Sequence, residues 1–439
     1  MEITLAADRG WSLEPERQKE VTVNRKSILQ VYPTLGGPEE MARRRPIGRD
    51  NEAWQLMLES LGRMVRHADG LGYWGITHVE HHFHSEGLEV SPDPGLLNLY
   101  LGLQTKRMKH GQLGYVLPSR DPIRLAEETA LIDHMLQGRF FVGMARGYQT
   151  RWQNVLGQHF HVTATPMDQG EIDVKNRELF YEHYKLLKMA WTEDLLRVKT
   201  DHYEVPYPFE AGIQGWPPGK SITAQYGVPG EVDENGTVRG IAAVPRPYQR
   251  PHPPLFQAFS VSEATLRWCA REGIVPTVLF GPMEIVENLA RAYHEEALAN
   301  GNQFGFGERI GLVRSIHIVD DRDELLPAVE KYDVPVWRWY EPFGFAETLR
   351  TPGEEGPVPK PGETFAERLV SSGLVIGGTP DDVKRQLDSV INRVPFEYLI
   401  WLYHWGIYEE EYGLRQLDRF AKEIAPEFGF APPEEVAAR

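Results

Sequence analysis

The chain has 439 residues, 41% hydrophobic and 25% charged, and its net charge at pH 7 is −16. An acidic chain repels phosphate backbones and anionic lipid, which argues against nucleic acids and membrane surfaces as partners. The single cysteine, Cys269, excludes an internal disulfide and is typical of a reducing compartment. Residues 1–26 lack an apolar signal-peptide core and no run of 18 apolar residues occurs, so we expect a cytoplasmic protein without a membrane span.

Hydrophobic periodicity predicts alternating strands and helices from residue 27 onward. In the first half, the predicted strands are 27–32, 74–82, 111–117 and 140–145. The helices predicted between and after them are 51–71, 94–105, 122–136 and one near 170–192. In the second half, the predicted strands are 255–259, 274–279, 310–319 and 398–403, with helices at 262–272, 283–300, 380–392 and one ending near 425.

Two long irregular stretches, 198–253 and 334–365, interrupt this alternation. They are too long for passive connectors in a compact domain, so we expect lids or walls of a substrate pocket. Close to eight strand–helix alternations predict an α/β fold with a parallel sheet, and a (β/α)₈ barrel is favoured. A doubly wound open sheet is the alternative, but no Gly-x-Gly-x-x-Gly follows the first strand. We expect one domain over 27–425, an N-terminal extension at 1–26 and a C-terminal tail at 426–439.

In a barrel, functional side chains lie at the carboxyl ends of the strands. Two of these ends offer ligands for a phosphate, because a guanidinium donates a bidentate fork and a hydroxyl at a helix start accompanies free amides. The residues concerned are Arg146, which precedes Gly147, and Ser260. Each also has a structural interpretation, as an arginine paired with a carboxylate or a simple N-cap. Together, at adjacent strand ends, they favour a phosphate site.

The second strand is predicted to end in a histidine-rich run, Glu80-His81-His82-Phe83-His84. His81 can act as a general acid or base near neutral pH, although a strand-end histidine is often structural. The pairs His82-x-His84 and His159-x-His161 also permit metal binding. No carboxylate or lysine is evident at later strand ends to complete a metal site, so we predict none.

Two aromatic runs are candidates for a flat apolar pocket. The first is Trp337-Arg338-Trp339-Tyr340 and the second covers residues 401–405. In the second run we expect Trp401 and Leu402 in the core, and the pocket lined by Tyr403, His404 and Trp405.

The order of motifs from 74 to 156 resembles bacterial luciferase-like monooxygenases. The residues that carry the resemblance are Glu80-His81-His82-Phe83, Gly114-Tyr115-Val116-Leu117-Pro118, Asp121-Pro122, Gly138-Arg139-Phe140 and Gly143-Met144-Ala145-Arg146-Gly147. Later matches are Arg250-Pro251-His252-Pro253-Pro254 and Gly377-Gly378-Thr379-Pro380. The resemblance covers most of 50–425.

This resemblance implies a (β/α)₈ barrel with insertions at the carboxyl face, paired into a homodimer or higher homo-oligomer through helices that follow the second and third strands. It implies reduced FMN from a separate NAD(P)H–flavin reductase, and O₂ activated as a flavin hydroperoxide that oxygenates an apolar small molecule. His81 matches the catalytic histidine of the family, and Glu80 and His82 flank it within the same motif.

The resemblance also implies the cofactor contacts. Arg146 and Ser260 match positions that bind the FMN phosphate, and we group Tyr148 with them. Leu113-Gly114 matches a cis peptide behind the isoalloxazine ring. Where relatives often have another phosphate-binding hydroxyl, this chain has Ser262 next to Glu263, and we expect Ser262 to take that role. Ala145 replaces the reactive cysteine of the family, which excludes thiol chemistry there.

Three alternatives stay open. A deazaflavin-dependent hydride-transfer oxidoreductase shares this barrel. A metal-dependent barrel hydrolase is an enzyme of a different class, and it would use the His82/His84 cluster. A flavoprotein without enzymatic activity would retain Arg146 and Ser260.

Overall fold

The computed structural model describes residues 24–434. The strands are β1 (Lys26–Val31), β2 (Gly75–His78), β3 (Lys109–Gln112), β4 (Tyr115–Val116), β5 (Val142–Ala145), β6 (Val198–Lys199), β7 (Glu204–Val205), β8 (Leu255–Ser260), β9 (Val275–Val278), β10 (Gly311–Ile318), β11 (Val375–Gly378) and β12 (Tyr398–Tyr403).

The helices are α1 (Pro38–Arg43), α2 (Asn51–Leu71), α3 (Pro94–Gly102), α4 (Pro122–Met135), α5 (Thr150–Leu156), α6 (Glu171–Thr192), α7 (Ala224–Tyr226), α8 (Glu263–Glu272), α9 (Met283–Ala299), α10 (Leu325–Tyr332), α11 (Val334–Tyr340), α12 (Phe365–Ser371), α13 (Pro380–Arg393) and α14 (Glu410–Arg419). None of the helices within 24–434 is both long and apolar enough to cross a membrane.

The main sheet is a nearly closed parallel barrel, which confirms the predicted fold class. Its strands follow the order β3-β2-β1-β12-β10-β9-β8-β5-β4. The two ends of this order, β3 and β4, flank Leu113-Gly114, whose peptide bond is cis. They are therefore two halves of one barrel strand.

One strand, β11, lies outside that order. β10 pairs with β12 from Gly311 to Arg314 and with β11 from Ser315 to Ile318. The upper half of β10 therefore leaves β12, and the two strands diverge toward their carboxyl ends.

Strand alternation divides the apolar residues into an inner and an outer core. In β12, Tyr398, Ile400 and Leu402 belong to the inner cluster, whereas Leu399 and Trp401 belong to the cluster shared with the helices. Successive side chains of a strand point to opposite faces, so even-numbered residues of β12 fill the barrel.

Local signals placed most helices correctly. The carboxylate of Asp50 caps α2 by accepting hydrogen bonds from the amides of Glu52 and Ala53, and Gly72 ends the helix at φ 88°. Predicted strands 74–82 and 111–117 were too long, since β2 stops at His78 and the third strand is broken at Leu113-Gly114. α10, α12 and β11 were not predicted.

The two irregular stretches differ in their place on the barrel. Residues 198–253 connect α6 to β8 and lie against outer helices, where Tyr203 donates to Asp121 (2.6 Å) and the Gln249 amide donates to Asp133 (2.7 Å). Residues 334–365 connect β10 to β11 and begin with α11. Of the two stretches, only 334–365 contributes to a wall above the carboxyl ends of the barrel strands.

Candidate functional site

A mostly apolar cavity lies at the carboxyl ends of the strands. Its lining comes from four strand ends, from the loop after β5 and from residues 336–345: Tyr32, Tyr148, Phe259, Leu279, Val336, Trp337, Tyr340, Phe345, Leu402 and His404. Residues 336–345 of the stretch 334–365 line this cavity, and none of its lining residues comes from 198–253. That the two stretches form lids or substrate-pocket walls stays a prediction.

His81 lies beside the cavity in contact with a buried carboxylate. Its Nδ1 is 2.8 Å from Oε2 of Glu89, which has no exposed surface. The other oxygen of Glu89 accepts a short hydrogen bond from the hydroxyl of Tyr340, a cavity residue. Burial alone would raise the pKa of Glu89, but His81 and this hydroxyl hold the pKa below its usual range.

Gln149 fixes the orientation of the His81 ring. Its Oε1 accepts a hydrogen bond from Nε1 of Trp152 (3.0 Å), so its amide nitrogen faces Nε2 of His81 at 3.5 Å. An amide nitrogen only donates, so Nε2 of His81 accepts and Nδ1 carries the proton toward Glu89. The carboxylate of Glu89 and the amide of Gln149 therefore hold the two ring nitrogens of His81 in a defined orientation.

Glu80 and His82 have different partners from those of His81. The Glu80 carboxylate accepts from Nε of Arg120 (2.9 Å) and from the amide of Val116 (2.8 Å), and lies 3.0 Å from Nε2 of His82. Burial raises the pKa of Glu80, but the charge of Arg120 and these hydrogen bonds outweigh it and lower the pKa. These contacts connect the end of β2 with β4. The catalytic role of Glu80 and His82 stays a prediction.

The two histidines that the metal alternative requires have different partners, His82 contacting Glu80 and His84 contacting Leu88 and Gln149. Within residues 24–434, the group that could hold a metal ion is His81, His84 and Glu89. Both ring nitrogens of His84 already contact oxygen atoms. Nδ1 lies 2.8 Å from the backbone oxygen of Leu88, and Nε2 lies 2.8 Å from Oε1 of Gln149. Neither nitrogen faces free space, which disfavours a metal at this group.

Arg146 follows β5, and its guanidinium holds the loop against α6. Nη2 donates to Thr165 (3.0 Å) and pairs closely with Asp173, and Nε donates to Asn176 (3.1 Å). The ion pair is the structural interpretation that the sequence left open. Nη1 makes no hydrogen bond among the described residues and is partly exposed, so one edge of the guanidinium is available to an anion.

Ser260 ends β8, the strand that pairs with β5. Its side chain is 2% exposed, and its hydroxyl has no hydrogen-bond partner among the described residues. Ser262 is exposed instead and caps α8, accepting from the amide of Thr265 (3.3 Å). Adjacent strand ends therefore bring Arg146 and Ser260 to one side of the barrel, whereas Ser262 is engaged as an N-cap.

The barrel mouth is open on this same side. Ala145 is the last residue of β5, and Ala258 and Phe259 lie near the end of β8. All three are partly exposed although they belong to barrel strands. Leu113-Gly114 directly precedes β4, the strand that pairs with β5. Its peptide bond is cis, which is the conformation that the resemblance implies. Tyr148 packs edge-on against His81, with ring centroids 6.3 Å apart, between this mouth and the cavity.

A second cluster joins two histidines and a carboxylate; the sequence analysis named His404 as a pocket residue but missed Asp333 and His317. Asp333 is fully buried, and its two oxygens contact Nε2 of His317 on β10 and Nε2 of His404 after β12 (3.2 Å for His404). Burial would raise the pKa of Asp333, but the two imidazoles hold it well below its usual range. The one signal was positional, because both histidines lie near the ends of predicted strands.

The outcome for residues 401–405 follows from strand alternation. Leu402 is buried in the inner core cluster, as expected, and together with His404 it also lines the cavity. Trp401, Tyr403 and Trp405 belong to the outer cluster, and Nε1 of Trp405 donates to Ser60 of α2 (3.0 Å). The prediction of Tyr403 and Trp405 as pocket residues was therefore wrong.

Comparisons with known proteins agree with this geometry. The family model described as luciferase-like monooxygenase matches residues 43–395. A relative, 3,6-diketocamphane 1,6-monooxygenase of Pseudomonas putida, is 20% identical over 82% of this chain and 90% of its own sequence.

Two solved structures are similar in fold. One is the oxygenating constituent of 3,6-diketocamphane monooxygenase from Pseudomonas putida in complex with FMN, a type II Baeyer–Villiger monooxygenase, with a TM-score of 0.67, 18% identity and coverage of 92% and 98% of the two chains. The other is an F420-dependent secondary alcohol dehydrogenase, with a TM-score of 0.58, 12% identity and coverage of 91% and 98%.

Proposed function

Because the chain belongs to the luciferase-like monooxygenase family, we propose that it binds reduced FMN from a separate reductase and uses O₂ to oxygenate an apolar small molecule in the cytoplasm. The observation that carries this proposal is the buried, unpartnered hydroxyl of Ser260, at a strand end next to that of Arg146. A buried hydroxyl without a partner is costly, and a phosphate oxygen would satisfy it.

The described residues fit a flavin with a phosphate tail. Nη1 of Arg146 and the hydroxyl of Ser260 would hold the phosphate, and the partly exposed Ala145 and Ala258 leave room beside Leu113-Gly114 for a flat ring. Support also comes from the similar structure that contains FMN. Ser262 would come to the phosphate only by giving up its hydrogen bond to Thr265.

When bound, reduced FMN supplies the two electrons that O₂ chemistry requires. The chain supplies the surroundings. The apolar cavity orients the substrate and excludes water. Nε2 of His81 accepts or returns a proton, with Glu89 stabilising the protonated ring and Tyr340 holding Glu89 in place. Glu80 and His82 position the loop that carries His81.

Titration of the purified protein with oxidised and reduced FMN tests the cofactor assignment. We expect saturable binding that weakens about tenfold to a hundredfold in Arg146→Ala, and less in Ser260→Ala. Asp173→Asn is the matched control, because it removes the ion pair and leaves the guanidinium. If Arg146 only anchors α6, both substitutions weaken FMN binding equally, and a protein indifferent to FMN in both redox states contradicts the proposal.

The deazaflavin alternative is tested in the same titration. The similar F420-dependent structure supports it as a second candidate. Tighter binding of F420 than of FMN, with no O₂ consumption, would replace the proposed cofactor. Saturable FMN binding with O₂ consumption coupled to product would reject the alternative.

We also propose a homodimer through α3 and α4, the helices that follow the second and third barrel strands. They expose apolar side chains at helical spacing: Leu96, Tyr100, Leu103, Leu131 and Met135. An exposed apolar stripe of this kind marks an interface. Leu103→Glu (67% exposed) should yield monomers in light scattering, whereas Leu298→Glu on α9 (45% exposed) should not. An unchanged mass for Leu103→Glu contradicts this interface.

A further inference from the structure

The cavity has a second imidazole whose surroundings differ from those of His81. His404 lines the cavity and is 1% exposed. Its Nε2 lies 3.2 Å from Oδ1 of Asp333, whereas its Nδ1 is buried and has no partner among the described residues. Other buried ring nitrogens of the described residues, such as Nε2 of His78 and Nδ1 of His110, also make no hydrogen bond, but neither of those histidines lines the cavity.

Hydrogen bonding fixes which nitrogen of His404 carries the proton. The two oxygens of Asp333 contact Nε2 of His404 and Nε2 of His317, and an ionised carboxylate only accepts. The hydroxyl of Tyr412 lies 2.7 Å from Nδ1 of His317 and donates to it. Both imidazoles thus direct their Nε2–H toward Asp333, so Nδ1 of His404 has a free lone pair.

The other groups around His404 do not compete for this lone pair. Tyr32 stacks on the ring with centroids 6.3 Å apart, and Tyr408 packs against it at 6.0 Å. Neither hydroxyl makes a hydrogen bond to Nδ1. The charged group that contacts the ring is Asp333, which stabilises an imidazolium.

We propose that Nδ1 of His404 accepts a proton from the molecule bound in the cavity, and that the substrate is therefore an apolar compound with an acidic hydroxyl or N–H group, such as a phenol. The proton leaves the oxygen or nitrogen of the bound molecule and joins Nδ1, with no change in electron count. The resulting anion faces the imidazolium of His404, which donates a hydrogen bond to Asp333. Asp333 and His317 are positioning residues, and Tyr412 fixes the tautomer of His317.

This inference rests on the proposed function for its substrate, but its test does not need turnover. The probe is 4-nitrophenol, whose anion absorbs at longer wavelength than the neutral phenol. Its methyl ether, 4-nitroanisole, is the control compound, because it has no hydroxyl proton to give up. The full chain is titrated with each at a pH below the pKa of free 4-nitrophenol. We expect tighter binding of the phenol than of the ether, and a phenolate spectrum for the bound phenol.

His404→Gln is the decisive variant, because its amide can still donate to Asp333 while the lone pair at Nδ1 is lost. It should abolish the phenolate spectrum and weaken 4-nitrophenol binding about tenfold or more, with 4-nitroanisole unaffected. Asp333→Asn should move the phenolate titration to higher pH. His67→Gln is the matched control, since His67 contacts Asp418 at the same 3.2 Å distance on the surface.

Three results would overturn the inference: no preference for 4-nitrophenol over the ether, a neutral spectrum of the bound phenol, or an unchanged phenolate spectrum in His404→Gln. The FMN titration of the same variant separates the two proposals. Unchanged FMN binding together with a lost phenolate signal supports both. A phenolate signal in a protein that binds no flavin would retain this inference and reject the proposed function.

Discussion

The two imidazole–carboxylate clusters at the cavity, His81–Glu89 and His404–Asp333–His317, use the same chemical groups in different ways. In the first, one imidazole and the hydroxyl of Tyr340 share the buried charge of Glu89. In the second, two imidazoles share the charge of Asp333. A carboxylate that already has two N–H donors needs no hydroxyl, so the aromatic surroundings of His404 can remain apolar.

The two clusters also differ in the surroundings of the ring nitrogen that does not face the carboxylate. Nε2 of His81 faces a donor, the amide of Gln149 at 3.5 Å, whereas Nδ1 of His404 has no partner among the described residues. The difference suggests a division of roles. His81 exchanges a proton near the cofactor, and His404 takes one from the substrate.

Substituting His81 should have the largest effect on turnover. In His81→Ala we expect O₂ consumption coupled to product to fall about a hundredfold to ten-thousandfold, because a positioned acid–base group contributes that much. FMN binding should remain nearly unchanged, and His67→Ala should leave turnover unaffected. Wild-type product formation in His81→Ala would remove His81 from the mechanism and leave His404 as the only cavity imidazole with a proposed role.

Removing the carboxylate of the second cluster should have the largest effect on stability. Asp333→Ala leaves two buried N–H donors without an acceptor, so we expect the free energy of unfolding to fall by about 3–5 kcal/mol in urea denaturation. The matched surface pair is Asp418 with His67, where Asp418→Ala should cost less than about 1 kcal/mol. Equal losses in the two variants would show that Asp333 is not a buried anion.

The contrast between these clusters shows how far the sequence could lead. It predicted the barrel, because the strand and helix periods are local signals. Through the family resemblance it also predicted the cis bond at Leu113-Gly114, whereas the catalytic role of His81 stays a prediction. Asp333 and His317 belong to no motif, and they meet His404 only because β10 leaves β12 beyond Arg314.

Side-chain pairing was the other limit of sequence reasoning. The sequence offered Glu80 as the carboxylate nearest His81, but Glu80 pairs with Arg120, and Glu89 reaches His81. Strand alternation places residues 401 and 402 on opposite faces, but it does not say which of them faces the inside of the barrel. Such choices depend on which groups the fold brings together rather than on local pattern.

A buried histidine without a carboxylate partner should make the stability of the protein depend on pH. Burial lowers the pKa of His78 to about 4, so in the pH range from 6.5 to 4 the unfolded chain binds a proton that the folded chain does not. Stability is therefore lost as pH falls through this range, and we expect about 2 kcal/mol from His78 between pH 7.5 and 5.

Urea denaturation at these two pH values measures the effect. His78→Asn retains a donor for the carbonyl of Val31, which lies 3.3 Å from Nδ1 of His78, and removes the titrating group. The variant should lose correspondingly less stability on acidification than the wild type. An identical loss in both proteins would show that His78 is already protonated in the folded state or does not contribute.

The hydroxyls that flank the two clusters test where the charges lie. Tyr340→Phe removes a donor to the charged Glu89, so we expect a loss of about 1.5–3 kcal/mol in the free energy of unfolding. Tyr412→Phe removes a donor to the neutral ring of His317 and should cost about 0.5–1.5 kcal/mol. If Tyr412→Phe costs as much as Tyr340→Phe, the proton of the second cluster resides on His317, with Nδ1–H donating to Tyr412. Asp333 would then be neutralised by His317, and His404 would lose the carboxylate support on which its basicity depends.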